Sequence, residues 1–341
     1  MAQVSYELTA CPVCGASTSI ELADADQMRK ELELLWEFHE RRLKQRIPPD
    51  RLTDRLAFSQ RPPLRLAECL GCSHIYRNPW ERKEALESAY SGSLPDPASL
   101  DSLFQIQRKT CRRQVHRLTA ALGRPGRGLE VGSYVGGFLA AANDEGWSFE
   151  GLDLNEEICG YARKKGLSVT AGEIESFDSS RTFDAIAIWN TFEQLYDAGA
   201  ALLAAARLLR PGGVLVLRFP NGAFYRTWRE RLNGPLKFLA IRLLAHNNLL
   251  SFPYRQGFTP RSITALLQRS GFRISSFEGD TLPRVADQWT RPWGAFEERW
   301  LKRVGRTLQS GWRAPWVEVY ARSNPELGER GGQKKRMAED L

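Results

Sequence analysis

Gly128-Leu129-Glu130-Val131-Gly132-Ser133-Tyr134-Val135-Gly136-Gly137-Phe138 decides the fold. It reads as a short buried strand, a glycine turn and the first residues of a helix. Phe149-Glu150-Gly151-Leu152-Asp153-Leu154-Asn155 follows as a second strand ending in an acid. Together they lay out a nucleoside-binding βαβ unit, in which glycines let the backbone approach the ligand and the acid takes the ribose hydroxyls. A dinucleotide site needs Gly-x-Gly-x-x-Gly, so that a pyrophosphate can rest on the helix N-terminus. Counted from Gly132, Tyr134 stands where the second glycine belongs. Glu130, an acid just before the turn, repels phosphate. It suits a cationic nucleoside such as S-adenosylmethionine, with its ammonium and sulfonium groups.

Three further segments follow in order: Ala171-Gly172-Glu173-Ile174-Glu175, then Phe183-Asp184-Ala185-Ile186-Ala187-Ile188-Trp189-Asn190-Thr191-Phe192-Glu193-Gln194, then Leu208-Leu209-Arg210-Pro211-Gly212-Gly213-Val214-Leu215-Val216-Leu217. In this order and at these spacings the segments resemble the class I S-adenosylmethionine-dependent methyltransferases, over roughly Gly128 to Arg322. The chain is similar to the branch containing ubiquinone-type O-methyltransferases and sugar C-methyltransferases, particularly members with an N-terminal zinc ribbon. The resemblance implies a cofactor set of Glu130, Gly132, Gly136, Gly137, Asp153, Glu173 and Asn190. In it the glycines underlie the methionine part, Asp153 binds the ribose and Glu173 lies near the adenine. Two residues depart from the pattern. Tyr134 replaces a glycine, and Gln194 replaces the histidine of the usual Glu-His, which removes one catalytic base.

The implied fold is α/β: a Rossmann-like methyltransferase sheet, mostly parallel with its last strand antiparallel, helices on both faces, and an N-terminal zinc ribbon with a helical insert. Repeated βα units support the parallel sheet independently. Strands are expected at Gly128–Gly132, Ser148–Leu152, Leu167–Thr170, Phe183–Ile188, Val214–Phe219, Phe272–Phe277 and Trp316–Arg322. Helices are expected at Asp24–Arg46, Asp101–Leu122 and Ala198–Leu209, and from Thr259 as N-cap to Gly271. The domain division is 1–97 for the zinc-ribbon region and 98–322 for the methyltransferase domain. Aromatic- and arginine-rich insertions interrupt the latter at 222–257 and 280–315, and residues 323–341 form a disordered tail. Ser91–Pro97 reads as a linker.

Cys11-Pro12-Val13-Cys14-Gly15 and Cys69-Leu70-Gly71-Cys72 are two Cys-x-x-Cys knuckles. Each sets two thiolates on one side of a tight turn, and Cys11, Cys14, Cys69 and Cys72 together make a structural zinc site. Gly15 and Gly71 favour the turns. His74 reads as a surface histidine rather than a ligand, and Cys111 and Cys159 as small apolar residues.

The chain has 341 residues, 42% of them hydrophobic and 26% charged, which is ordinary for a soluble domain. It shows no bilayer-length apolar run and no secretory signal, so a cytoplasmic protein is expected. The net charge of +8 reads as a solvated arginine-rich surface, and nucleic acid is not expected as a partner. Oligomeric state stays open.

Methyl transfer from a sulfonium needs alignment and water exclusion more than acid–base chemistry. Where a base is needed, Glu193, His246 and Tyr254 are the catalytic candidates, the last two in the segment before the Thr259 helix. Phe224–Ala245 reads as a lid packed on the core; the alternative is an interfacial helix in peripheral membrane contact. The expected activity is O- or C-methylation of a small-molecule or carrier- or lipid-linked glycan intermediate. The alternatives are an RNA base methyltransferase gripping RNA through its zinc ribbon, and a non-catalytic cofactor-binding protein.

Overall fold

The computed structural model describes residues 6–44, 65–84, 96–180, 182–247, 255–280, 290–308 and 311–323. In the N-terminal region, β1 (Tyr6–Glu7) is followed by β2 (Ser19–Ala23), α1 (Ala25–Glu40), β3 (Arg65–Cys69), β4 (Ile75–Asn78) and β5 (Trp80–Glu81). Strands β2, β3 and β4 are antiparallel neighbours, and β1 pairs with β5. Asp24 starts α1 by accepting a hydrogen bond from the Gln27 backbone N–H at 2.8 Å, as N-cap acids do. The helix ends at Glu40, short of the expected Arg46. Leu43 forms an isolated bridge with Thr290 instead.

The expected helix over Asp101–Leu122 is two helices, α2 (Pro97–Thr110) and α3 (Arg112–Leu122), separated at Cys111. The break lets each helix bury its own stripe, Leu100 and Phe104 on α2 and Val115 and Leu118 on α3. Asp96 caps α2, so Pro97 opens a helix rather than closing a linker.

The core then alternates: β6 (Arg127–Val131), α4 (Gly137–Asp144), β7 (Ser148–Asp153), α5 (Glu156–Lys164), β8 (Val169–Ala171), β9 (Phe183–Trp189), α6 (Ala198–Leu208) and β10 (Leu209–Pro220). After β10 come α7 (Gly222–Arg229), α8 (Lys237–Leu244), β11 (Gln256–Gly257), α9 (Pro260–Arg269), β12 (Phe272–Asp280), α10 (Pro292–Leu308) and β13 (Trp316–Ser323). Seven strands form one sheet in the order β12-β13-β10-β9-β6-β7-β8. Strand β13 is antiparallel to both neighbours, and the pairs β6–β7, β6–β9, β7–β8 and β9–β10 are parallel. Phe183 and Ala185–Trp189 on β9 are all buried, because helices cover both faces of a parallel sheet. The expected strands and the antiparallel last strand are thus present.

The N-terminal region does not stand apart. Strand β11, from the far end of the first insertion, adds to the N-terminal sheet in the order β11-β4-β3-β2. Met28 of α1, Leu66 of β3 and Ile75 of β4 share one apolar cluster with Tyr225, Ala240 and Leu244 of the insertion. Among the described residues no helix is long and apolar enough to cross a membrane.

Candidate functional site

The turn after β6 has a left-handed backbone at Gly132 (φ 74°), Tyr134 (φ 46°) and Gly136 (φ 78°). Tyr134 thus adopts the conformation of the glycine it replaces, at a cost of about 1 kcal/mol. Its backbone N–H donates to Asp153 Oδ2 at 2.8 Å. Gly132 and Ser133 both donate to the Leu152 carbonyl, at 2.8 and 2.9 Å, which docks the turn on the end of β7. A Cβ on Gly132 would overlap Thr191; one on Gly136 would overlap Leu167, and one on Gly137 Gln107 of α2. Gly137 therefore serves the close approach of α2 to the turn.

Glu130 and Asp153 stand at the carboxyl ends of adjacent parallel strands, with Glu130 opposite Gly151 in the register. Asp153 Oδ1 also accepts from the Asn155 backbone N–H at 3.1 Å. Burial pushes both carboxyls above their ordinary range, and the Asp153 charge raises Glu130 further. Glu130 Oε2 is buried with no hydrogen-bond partner. On the next loop, Glu173 pairs with Lys83 of the N-terminal region at 2.7 Å.

Asn190 ends β9 in a left-handed conformation (φ 56°). Its N–H donates to the Arg218 carbonyl at 2.9 Å, its Oδ1 accepts from Arg218 Nη1, and its carbonyl accepts from Gln194 Nε2. Gln194 thus serves to fix Asn190. Glu193 is fully buried and neither carboxyl oxygen has a hydrogen-bond partner. Burial raises it to about 8, against a smaller opposing pull from its own backbone N–H and the Arg218 charge.

Sequence reading missed the group around Arg218. This buried arginine donates from Nε to Asp280 Oδ2 at 3.0 Å and lies 3.8 Å from Glu318 Oε1. Arg117 of α3 reaches Glu318 at 2.7 Å, and Arg113 reaches Asp280 at 3.3 Å. The Trp316 ring lies 4.7 Å from the Arg218 guanidinium. The available signal was an arginine inside the apolar run Val214-Leu215-Val216-Leu217-Arg218-Phe219, since a charge in a central strand requires partners.

His246 is buried rather than carried on a solvent-facing loop. Its ring packs edge-on against Phe38 and His39 of α1, and its carbonyl accepts from Trp316 Nε1 at 2.9 Å. The structure thereby brings Asn190, Arg218, Trp316 and His246 together at the carboxyl edge of the sheet. Tyr254 lies outside the described residues.

The four cysteines of the two knuckles converge, with all Sγ atoms within 4.8 Å of one another. Cys11 and Cys72 are 3.6 Å apart and Cys14 and Cys69 3.5 Å apart. A tetrahedral zinc thiolate site has sulfur–sulfur edges of about 3.8 Å, so the set fits that ion. The knuckles match residue for residue: Gly15 (φ 74°) and Ser73 (φ 59°) take the left-handed turn after the second cysteine of each. Gly71 packs against the cluster, where a Cβ would make ordinary contact with Cys14 Sγ at 3.4 Å. His74 is not on the surface. It is fully buried, hydrogen-bonded through Nε2 to Gln256 at 3.1 Å, and depressed by burial to about 3. Cys159 is buried and Cys111 half-buried, both as free thiols.

A mostly parallel Rossmann-like sheet closed by an antiparallel strand, with a glycine turn beside an acid at the end of the next strand, is the layout expected of a class I S-adenosylmethionine-dependent methyltransferase. Residues 104–276, just over half of the chain, match the model of a family described as a methyltransferase domain, and the chain belongs to that family. No curated protein matches it. Among solved structures, DesVI of Streptomyces venezuelae is 24% identical, over 37% of this chain and 58% of that one, with a TM-score of 0.32. The chain thus spans less than two thirds of that protein. A SAM-dependent methyltransferase from Archaeoglobus fulgidus is 15% identical over 63% and 94% of the two chains, with a TM-score of 0.42. The plantazolicin methyltransferase BpumL, in complex with SAH, is 14% identical over 70% and 94%, with a TM-score of 0.43.

Proposed function

We propose that the protein methylates an oxygen or carbon of a small molecule or of a carrier- or lipid-linked glycan intermediate, with S-adenosylmethionine held on the turn after β6. The observation that carries the cofactor reading is the buried Glu130 beside the half-buried Asp153, with one Glu130 oxygen unpartnered. Two adjacent carboxyls of raised pKa, one of them buried, suit a cation, which favours their ionised forms, better than a pyrophosphate, which disfavours them.

The proposed cofactor residues are Glu130, Gly132, Gly136, Gly137, Asp153, Glu173 and Asn190. Asp153 accepts one backbone N–H on each oxygen, which leaves lone pairs for two ribose hydroxyls. Gly136 and Gly137 act by letting Leu167 and α2 close on the turn. S-adenosylmethionine supplies an already activated methyl carbon. The protein supplies alignment and a dry site. Of the catalytic candidates Glu193, His246 and Tyr254, the reading rests on Glu193, whose buried carboxyl is raised to about 8. Held protonated at neutral pH, it donates to an acceptor oxygen; ionised, it accepts the acceptor's proton. Cys11, Cys14, Cys69 and Cys72 would hold a zinc with no open position, hence a structural one.

Calorimetry with S-adenosylmethionine, its demethylated product and NAD tests the cofactor. Asp153→Ala should weaken binding of the first two by about 2 kcal/mol, the loss of charge-assisted bonds to the ribose. Binding of NAD alone would sink the reading. Transfer of labelled methyl into glycan intermediates, with RNA offered in parallel, tests the acceptor class.

A further inference from the structure

Over residues 292–303, helix α10 is built inside out. Its inner face runs along Gly294, Glu298 and Lys302, all buried. That face is charged: Glu298 pairs with Lys302 and lies 3.6 Å from Arg42, and the Gly294 carbonyl accepts from Arg42 Nη2 at 2.6 Å. Its outer face carries Trp293, Phe296 and Trp300, which are 50%, 64% and 56% exposed. An ordinary surface helix has the reverse arrangement, apolar inside and polar outside.

Helix α8 presents a second apolar group, with Leu236, Phe238 and Leu239 exposed, Phe238 at 70%. Arg242 joins the two helices. Its guanidinium stacks 3.3 Å over the Phe238 ring, and its Nε donates to Glu297 Oε1 of α10 at 2.6 Å. Exposed apolar side chains gathered in this way mark an interaction face.

The charges select what covers it. The acids of these helices, Glu297 and Glu298, are turned inward and paired with Arg42, Arg242 and Lys302. The exposed charged side chains that α8 and α10 show, among the described residues, are Lys237, Arg299 and Arg303, with Arg291 just before α10. A Trp/Phe/Leu face with Lys and Arg around it is the composition of helices that lie in the headgroup region of a bilayer, where tryptophan concentrates. A second copy docked by two-fold symmetry would instead set this basic rim against its own image.

We propose that α8 and α10 form one docking face for the surface of an anionic lipid bilayer. Helix α8 leads directly into His246 and Asn247, and Asn247 Nδ2 donates to the Asn221 and Pro315 carbonyls beside the end of β10. Docking would therefore hold the carboxyl edge of the sheet, where the candidate site lies, close to the membrane. The inference stands independently of the acceptor's identity.

Flotation of the full-length protein with vesicles of phosphatidylcholine alone, and of phosphatidylcholine with phosphatidylglycerol, tests it. The protein should float with the anionic vesicles, less so as salt rises. Trp293→Ser, Phe296→Ser and Trp300→Ser together should lower bound protein about tenfold or more while cofactor affinity, read by calorimetry, stays unchanged. Lys237→Glu with Arg299→Glu should reduce binding to anionic vesicles without touching the aromatic face. The proposal is overturned if the protein binds neither vesicle, or if the aromatic variant binds as well as the parent. It is equally overturned if that variant only converts a dimer to a monomer in sedimentation.

Discussion

At the scale of single residues, burial sets the protonation of two acids, Glu130 and Glu193. Glu130 is held protonated well above its ordinary range by burial and by Asp153. The folded protein thus keeps a proton there that the unfolded chain releases. Stability from this group is full below the unfolded value and is lost as pH rises through the folded one. Glu130→Gln should therefore raise the melting temperature of the cofactor-free protein at neutral pH, yet weaken S-adenosylmethionine binding. A bound cation should also expel the Glu130 proton, so the parent's binding enthalpy should vary with the buffer's ionisation enthalpy and the variant's should not. Glu193 behaves alike, with its carboxyl raised to about 8. Glu193→Gln should match the parent in unfolding free energy, read by denaturant titration, near pH 4 and exceed it at pH 9, by at most about 5 kcal/mol. If Glu193 is the base, the same change should abolish a rise in kcat through pH 8.

At the scale of elements, strand ends were legible and helix interruptions were not. The strands are short buried runs bounded by turn residues, so Phe183–Trp189 declares itself. The break at Cys111 has no proline or glycine to announce it; two differently directed packing stripes cause it. Glu130, Asp153 and the knuckles were readable because their spacing is local. Arg218, Asp280 and Glu318 were not readable as a group, because three strands far apart in sequence bring them together. The Cys-x-x-Cys knuckles carry a prediction of their own. Protein purified without chelator should contain one zinc per chain, and Cys69→Ser should release it. Elemental analysis showing no zinc in the parent would remove the structural-metal reading.

At the scale of the whole molecule, the N-terminal region and the catalytic sheet are joined through the first insertion. Strand β11 lies in the N-terminal sheet, yet its chain continues directly into α9 of the core. Arg269 of α9 donates to the Val13 carbonyl inside the first knuckle at 2.6 Å. The Arg255 backbone N–H donates to the Glu193 carbonyl at 3.2 Å, so the same segment touches the candidate base. We therefore propose that the boundary drawn at 97/98 separates sequence segments and not folding units. If the knuckles bind zinc, its removal should loosen more than residues 6–81. Amide exchange after chelation should quicken in β3, β4 and β11 and in α7 and α8, which share one apolar cluster with α1. Exchange in β6, β7 and β9 should hold, because their hydrogen bonds lie within the parallel sheet. Cofactor affinity should then persist while methyl transfer falls, since Glu130 and Asp153 belong to the protected strands and Glu193 leans on the loosened segment. Uniform quickening across both regions would instead show that zinc supports the entire fold, and unchanged exchange at β11 would show that the strand pairing does not transmit the loss.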